Sequence, residues 1–321
     1  MSMLTLVKYQ GLGNDFLIAL DDGALDGGAL DGGALDAAAA VVAGGMPPRS
    51  GSPDGPADQL AALARAICDR HTGVGADGLL VLRAAEAGGD VRMELRNADG
   101  GRAETSGNGL RCFALALIDA GLSAGPEVVV ETDAGLRRAV LRRRLGPGSA
   151  DISVEMGKVK VVRSNPVADA ALPGSRALPW PSWSVDAGNP HLVLLAPSLE
   201  GVALTTIGPA LEKQRPGGQN VELATYEPAK GEISLIVWER GAGVTLACGS
   251  GSVAAAAAFH SAGIAPLRVL VRNPGGVAEV ELSGDDPHAV SAELAGPVCR
   301  VARIELDPAE LGESGRALAT S

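Results

Sequence analysis

The residues best suited to chemistry lie at the starts of two glycine-rich helical segments. Cys248 opens Cys248-Gly-Ser-Gly251, and Ser106 opens Ser106-Gly-Asn-Gly109. A helix N-terminus carries roughly half a positive charge, and a thiol placed there can have its pKa lowered from about 8.5 to about 3.5–7.5. We therefore expect Cys248 to form a thiolate that acts as a general base at neutral pH. The alternative is a buried structural thiol, since unpaired cysteines are among the most buried residues.

An internal repeat places these two segments in matched halves of the chain. The stretch 106–121 aligns with 248–263 without a gap, and glycines and alanines recur at aligned positions. Asn97 and Glu239 each lie nine residues before the corresponding helix start. Two such halves, fused head to tail, would face each other across a cleft. The alternative is that alanine- and glycine-rich helices resemble one another through composition alone.

Further polar residues could bind a small zwitterion. Asparagines would fix it without adding charge, although asparagines next to glycine are also common turn formers; the candidates are Asn14, Asn97, Asn108, Asn189 and Asn220. Glu239 and Arg240 could bind an amino group and a carboxylate, or form a surface ion pair. His191 could tune the pKa of a nearby thiol, or be an ordinary hydrogen-bonded histidine.

The elements that must position these residues are short strands, glycine turns and three clear helices. Apolar spacing predicts strands at 4–7 and 16–20 and helices at about 58–69, 108–120 and 250–262. The biased segment 21–57 repeats Gly-Ala-Leu-Asp and can bury little apolar surface, so we expect a mobile surface insertion there.

The same pattern predicts the domain organisation. We expect residues 1–145 to form an N-terminal half, completed by a strand near 298–307. Residues 146–297 would form the C-terminal half, and the polar, small-residue-rich segment 308–321 a loose tail.

Composition narrows the classes of function. The formal net charge of −11 argues against a nucleic-acid or anionic-membrane binder, because such proteins need clustered Lys and Arg. The arginines between 137 and 144 are interpreted as a solvated strand face, with a partner site as the alternative. The four cysteines form no CxxC pair, so no structural zinc is expected. Without a signal peptide or a bilayer-spanning stretch, a reducing cytoplasm is the expected setting.

Five motifs taken together resemble the diaminopimelate epimerase family. They are Lys8–Phe16, Arg96–Gly100, Gly107–Gly109, Gly188–His191 and Glu239–Gly251, and the likeness runs in order over nearly the whole chain. The resemblance implies an α/β fold of α+β type with two pseudo-symmetric domains, each a curled, mostly antiparallel sheet around a central helix, and an active site between them. It also implies interconversion of LL- and meso-diaminopimelate in lysine and peptidoglycan precursor synthesis, without pyridoxal phosphate or a metal, by a protein that is commonly a homodimer.

The resemblance also implies which residues contact the amino-acid substrate. The side chains would be those of Asn14, Asn97, Asn189, Asn220, Glu239 and Arg240. The backbone amides would be those of Gly107, Asn108, Gly249 and Ser250.

One residue departs from the family pattern. The family places a cysteine at each helix start, as the two acid/base groups, and this chain has Ser106 at the first. A serine hydroxyl is a far weaker acid than a thiol, but it could deliver a proton directly or through water. Three interpretations remain open: a working serine variant, an inactivated protein that only binds an amino acid, and a related isomerase or racemase with altered chemistry. The first is favoured because the asparagines, Glu239 and Arg240 are all present.

Overall fold

The protein has a mixed α+β fold built on one large sheet. The computed structural model describes residues 3–20, 39, 56–103, 106–164, 180–308, 310 and 311. The strands are β1 (Leu4–Gly11), β2 (Asn14–Ala19), β3 (Gly78–Arg83), β4 (Val91–Asn97), β5 (Glu127–Thr132), β6 (Gly135–Gly146), β7 (Ser149–Ser164), β8 (Ser182–Asp186), β9 (Pro190–Leu195), β10 (Asn220–Glu227), β11 (Glu232–Glu239), β12 (Gly243–Thr245), β13 (Arg268–Asn273), β14 (Gly276–Ser283) and β15 (Ala289–Leu306). The helices are α1 (Pro56–Cys68), α2 (Gly107–Asp119), α3 (Leu204–Glu212) and α4 (Gly249–Ser261).

The sheet closes on itself twice. Strands β1 to β7 lie side by side in chain order, β15 flanks β1, and β7 pairs with β15 to complete a first ring. A second ring is completed by six further strands that lie between the other ends of β7 and β15, namely β8, β9, β10, β11, β13 and β14. Strand β12 pairs with β11 at the edge of this ring. The long strands β7 and β15 therefore belong to both rings. β7 pairs with β6 through residues 149–154 and with β8 through residues 160–164.

The two rings repeat the same topology. Most neighbouring strands are antiparallel, and the parallel pairs recur at equivalent places: β2–β3 and β4–β5 in the first ring, β9–β10 and β11–β13 in the second. Helices α1 and α3 connect the first parallel pair of each ring, and α2 and α4 connect the second. The predicted fold class and internal repeat are confirmed. The division of the chain at residue 145 stays a prediction, since β7 and β15 contribute to both rings.

A central helix fills each ring. Residues 107–117 of α2 and 249–259 of α4 are buried, which leaves neither helix a solvent face over those turns. An enclosed helix is apolar or small on all sides, and α4 meets this requirement with the fully buried run Ala254–Ala258. Phe259 follows that run and packs edge-to-face against Trp183, with ring centroids 5.9 Å apart. Both helices begin and end within one residue of their predicted positions.

Helices α1 and α3 form smaller apolar clusters with the strands. In α1, Leu60, Leu63 and Ile67 supply the buried stripe that the sequence spacing predicts. In α3, Leu204 and Leu211 are buried in an equivalent cluster with residues of β9 and β10.

Parts of two predicted surface segments are described. Most of the segment 21–57 lies outside the described residues; Ala39 is buried in the same cluster as Leu63, and α1 begins at Pro56. Of the predicted tail, Pro308, Glu310 and Leu311 are helical, and Leu311 packs against that cluster. The rest of the tail lies outside the described residues. In the described part of the chain, no helix has both the length and the apolar character needed to cross a membrane.

Replacing Ala256 with leucine tests the enclosure of α4. Ala256 is fully buried inside the second ring, and overpacking a core in this way costs about 1–3 kcal/mol. We expect the free energy of unfolding, measured by urea denaturation, to fall by that amount. Ala262→Leu, at the exposed end of the same helix, is the control and should change it by less than about 0.5 kcal/mol. Equal effects of the two changes would mean that α4 is not enclosed.

Candidate active site

The N-terminal turns of α2 and α4 are in direct contact. A Cβ atom on Gly249 would lie only 3.2 Å from the Cα of Gly107 and 3.2 Å from the backbone nitrogen of Asn108. A Cβ on Gly107 would lie 2.9 Å from the sulfur of Met156 on β7 and 2.8 Å from a methyl carbon of Leu294 on β15. The glycines therefore allow the two helix starts to meet over the strands that the rings share.

Ser106 and Cys248 occupy equivalent positions as the N-caps of these helices. Both have extended backbones, with φ −145° and ψ 110° at Ser106 and φ −119° and ψ 118° at Cys248. The Ser106 Oγ accepts a hydrogen bond from the Gly109 N–H at 3.0 Å, and the Cys248 Sγ accepts one from the Gly251 N–H at 3.3 Å. The structure thus gives the two residues that the repeat aligns the same role, as N-caps of helices whose first turns touch.

The remaining amides of the first turns have the chemistry that attracts an anion. The first N–H groups of a helix have no intrahelical acceptor, and here they belong to Gly107 and Asn108 in one helix and to Gly249 and Ser250 in the other. Each helix end carries about half a positive charge, so two ends in contact repel one another and favour an anion nearby. A carboxylate fits this requirement, and so does the negative charge that develops beside it when an adjacent carbon loses a proton.

The predicted lowering of the Cys248 pKa is wrong. Burial raises the pKa of this thiol well above its usual value, and the carboxylates of Glu239 and Glu222 raise it further. Hydrogen bonds from Ser250 and from the Gly251 amide favour the thiolate but are outweighed. Cys248 is only 6% exposed, and removing water disfavours the charged form more than one helix end compensates. The resting group is therefore a protonated thiol.

The Glu239 carboxyl has a pKa close to neutral pH, where it can both accept and donate a proton. This residue ends β11, and burial raises the pKa of its carboxyl from 4.5 to about 7, although the Thr245 hydroxyl donates a hydrogen bond to it. Perturbed carboxyl groups of this kind are typical of acid/base sites. The neighbouring Arg240 is exposed, and its backbone N–H donates to the Asn220 side-chain oxygen at 2.9 Å.

Three predicted residues of the second half lie together. The two ring nitrogens of His191 lie 2.7 Å from a carboxylate oxygen of Glu222 and 2.8 Å from the side-chain oxygen of Asn189. The Asn220 amide donates to the Pro190 carbonyl at 3.2 Å, which joins the starts of β9 and β10.

Glu222 is one of the residues that the sequence analysis missed. Its carboxyl is fully buried, one oxygen bonds His191, and the other has no hydrogen-bond partner within the described residues. A Cβ on Gly251 would lie 2.8 Å from Glu222, so the carboxyl packs against the first turn of α4. The available signal was its spacing: Glu222 lies two residues after Asn220 and therefore on the same face of a strand that is otherwise apolar there.

The asparagines of the first half differ in their surroundings. The Asn14 amide donates to Asp77 at 2.6 Å, and the Asn108 amide donates to the Asn14 oxygen at 3.2 Å and to the Ala247 carbonyl at 3.3 Å. The hydrogen bonds of the Asn108 side chain are thus made within the protein. Its backbone N–H is one of the amides without an intrahelical acceptor at the start of α2. Asn97 is exposed at the end of β4, next to the Ala98 amide that bonds the Asp77 carbonyl.

Comparison with known proteins places the chain in a family. The family model described as diaminopimelate epimerase matches residues 53–162 and 183–300. The chain belongs to the diaminopimelate epimerase family. It is 33% identical to the diaminopimelate epimerase of Moorella thermoacetica over 310 residues, which cover 92% of this chain and 97% of that relative. It is 39% identical to the diaminopimelate epimerase of Mycobacterium avium over 267 residues, covering 77% of this chain and 88% of that relative.

Solved structures of proteins with much lower sequence identity share the fold of this diaminopimelate epimerase family member. A phenazine biosynthesis protein of the PhzF family from Bacillus anthracis superposes with a TM-score of 0.68 at 15% identity, covering 96% of this chain and all (100%) of that one. A probable proline racemase from Agrobacterium radiobacter gives a TM-score of 0.67 at 18% identity, with 96% of each chain covered.

Substituting Glu239 by glutamine tests the buried carboxyl. Because the pKa of Glu239 is raised from 4.5 to about 7, the folded state resists its ionisation. The contribution of Glu239 to the stability of the wild type should therefore be greatest below pH 4.5, and it should be lost as the pH rises through 7. Glu239→Gln removes that dependence, so between pH 5 and pH 8 its free energy of unfolding should gain about 2.5 kcal/mol relative to wild type. A difference between the two proteins that is independent of pH would contradict this assignment.

Proposed function

We propose that this chain interconverts LL- and meso-diaminopimelate by proton transfer between Cys248, Ser106 and the substrate α-carbon. Membership of the diaminopimelate epimerase family supports the reaction. The contact between the two helix starts supports the mechanism, because a thiol and a hydroxyl are the N-caps of two helices whose first turns touch.

The amides at the helix starts bind the substrate α-carboxylate. The Cα–H bond breaks, its proton passes to the group on one face, and its electron pair stays on the α-carbon and the adjoining carboxylate. The N–H groups of Gly107, Asn108, Gly249 and Ser250 stabilise that charge. A proton from the group on the opposite face then completes the inverted centre. No electron is gained or lost, so the reaction needs no redox cofactor, and in this proposal the amide N–H groups stabilise the carbanion in place of pyridoxal phosphate.

Cys248 acts in partnership with Glu239. As a protonated thiol it is ready to donate a proton to the carbanion. In the opposite direction it must first release that proton, and Glu239, whose carboxyl has a pKa of about 7, accepts it. The substrate ammonium group, bound beside Glu239, offsets the negative charge that raises the pKa of the thiol.

Ser106 acts on the other face. Its hydroxyl is fixed by the Gly109 amide, and it passes the proton directly or through water. His191, held by Glu222 and Asn189, completes the polar surroundings together with Asn14, Asn97 and Asn220. Arg240 binds the distal carboxylate of the substrate.

Three further properties are proposed, the oligomeric state from the family resemblance and the other two from the sequence itself. We propose that the protein is a homodimer in the cytoplasm and that its halves are residues 1–145, completed by 298–307, and 146–297. Sedimentation equilibrium should return the mass of two chains, and a single-chain mass would contradict the dimer.

Incubation with LL-diaminopimelate in deuterated water tests the function. We expect deuterium at the α-carbon and formation of the meso isomer. Ser106→Cys should raise the rate at least tenfold, which corresponds to about 1.4 kcal/mol of barrier, because a thiol transfers protons more readily than a hydroxyl. Cys248→Ala should abolish both signals, while Cys299→Ala, which removes a thiol from β15, should leave them unchanged.

The outcomes separate the possible functions. Exchange without meso product would indicate a base on one face only and contradict epimerisation. Binding of LL-diaminopimelate with neither exchange nor product would identify an amino-acid-binding protein that has lost turnover. Unchanged exchange in Cys248→Ala would contradict the role of that thiol.

A further inference from the structure

Arg111 is a buried cation within the first helix. It lies in the first turns of α2, where the helix dipole disfavours positive charge, and its side chain has no exposed surface. Burial lowers the pKa of the guanidinium to about 10. Gly296 leaves the space that the guanidinium occupies, because a Cβ at this position would lie only 2.7 Å from the Arg111 Nη1. A charge buried against these penalties requires an explanation.

The guanidinium begins a chain of hydrogen bonds that leads to the site. Arg111 Nη2 donates to the Asn108 oxygen at 2.6 Å, and the Asn108 amide donates to the Asn14 oxygen at 3.2 Å. The Asn14 amide donates in turn to Asp77 at 2.6 Å. Arg70 and the Asp15 backbone N–H also donate to that carboxylate, at 2.8 and 3.0 Å, so the far end of the chain is fixed.

The two ends of this chain determine its direction. A guanidinium can only donate hydrogen bonds, and an ionised carboxylate can only accept them. An asparagine can present either its oxygen or its amide to a neighbour, but two asparagines between Arg111 and Asp77 have one arrangement that satisfies every link. That arrangement leaves one N–H and one lone pair of Asn14 for the substrate. Aligned bonds of this kind also polarise one another.

A branch of the chain reaches the second half. The Asn108 amide also donates to the Ala247 carbonyl at 3.3 Å, immediately before Cys248. The orientation imposed by Arg111 therefore places an amide, and not an oxygen, against this carbonyl. With the opposite orientation two oxygens would face each other where the halves meet.

We propose that Arg111 is a positioning residue that acts through Asn108 to orient the Asn14 amide toward the substrate and to hold the two helix starts together. The proposal rests on the function proposed above and extends it to a residue that does not touch the substrate.

Arg111→Met and Arg111→Lys test the proposal. Methionine removes the donor, and we expect kcat/KM for LL-diaminopimelate to fall on the order of 100-fold, through both a higher KM and a lower kcat. The thermal midpoint should stay level or rise, because Arg111 forms no direct ion pair with any residue that the structure describes, and replacing such a buried charge is often neutral or stabilising. Lysine retains an obligate donor and should stay within tenfold of wild type.

Asn108→Asp separates orientation from folding. The new carboxylate keeps the Arg111 contact and turns it into an ion pair, but it cannot donate to Asn14. We expect a folded protein whose kcat/KM falls as far as in Arg111→Met. Wild-type kcat and KM in Arg111→Met, or full activity in Asn108→Asp, would overturn the proposal.

A readout that is independent of turnover distinguishes this proposal from the proposed function. In protein labelled with 15N-asparagine, the side-chain NH₂ signals of Asn14 and Asn108 should exchange slowly with solvent, and Arg111→Met should shift them and accelerate their exchange. Asn14→Ala assigns the first signal. Failure of wild type to convert LL-diaminopimelate would contradict the function alone, whereas unchanged NH₂ signals in Arg111→Met would contradict the positioning role.

Discussion

The contact between two helix N-termini is the constraint on which the rest of the structure depends. Two positive helix ends repel one another, so the contact is stable only with negative charge nearby and without side chains in between. Gly107 and Gly249 meet the second requirement, since a Cβ on Gly249 would press on the first turn of α2 and a Cβ on Gly107 would collide with Met156 and Leu294. The carboxyl groups of Glu222 and Glu239 lie near enough to Cys248, the N-cap of α4, to raise the pKa of its thiol, and they can supply negative charge there when ionised. The shared strands β7 and β15 carry both rings and so hold the two ends in register.

Burial of this contact determines the chemistry of its side chains. A dry site strengthens every hydrogen bond and every charge interaction, and it also disfavours an isolated ion. Cys248 is for that reason a thiol at rest despite its place at a helix start, and Glu239 titrates near neutrality instead of near its usual value. Burial thus leaves Cys248 protonated and brings the pKa of the Glu239 carboxyl to about 7. The Arg111 cation shows the same principle, because its buried charge is linked through the amides of Asn108 and Asn14 to the Asp77 carboxylate.

The sequence predicted those features that depend on local pattern. The repeat located α2 and α4 within one residue, and the spacing of Leu60, Leu63 and Ile67 located the buried stripe of α1. Equal spacing also paired Asn97 with Glu239 at the ends of equivalent strands. The sequence alone could not predict the direction of the Cys248 pKa shift, because desolvation of the thiol depends on which strands close around it. Glu222, Asp77 and Arg111 were missed for the same reason: their partners are distant in sequence, and no motif records a contact made only when both rings are closed.

The most direct test of the helix contact is a disulfide across it. In Ser106→Cys, residues 106 and 248 cap two helices that touch at the next residue, and a disulfide requires Cα atoms roughly 4.4–6.8 Å apart. After mild oxidation of the native protein, peptide mapping by mass spectrometry should find the new cysteine linked to Cys248, with reversal by reductant. Substrate bound between the two thiols should slow this linkage. Pairing of the new cysteine with Cys299, or no pairing with Cys248 under oxidation, would contradict the account of two opposed helix starts.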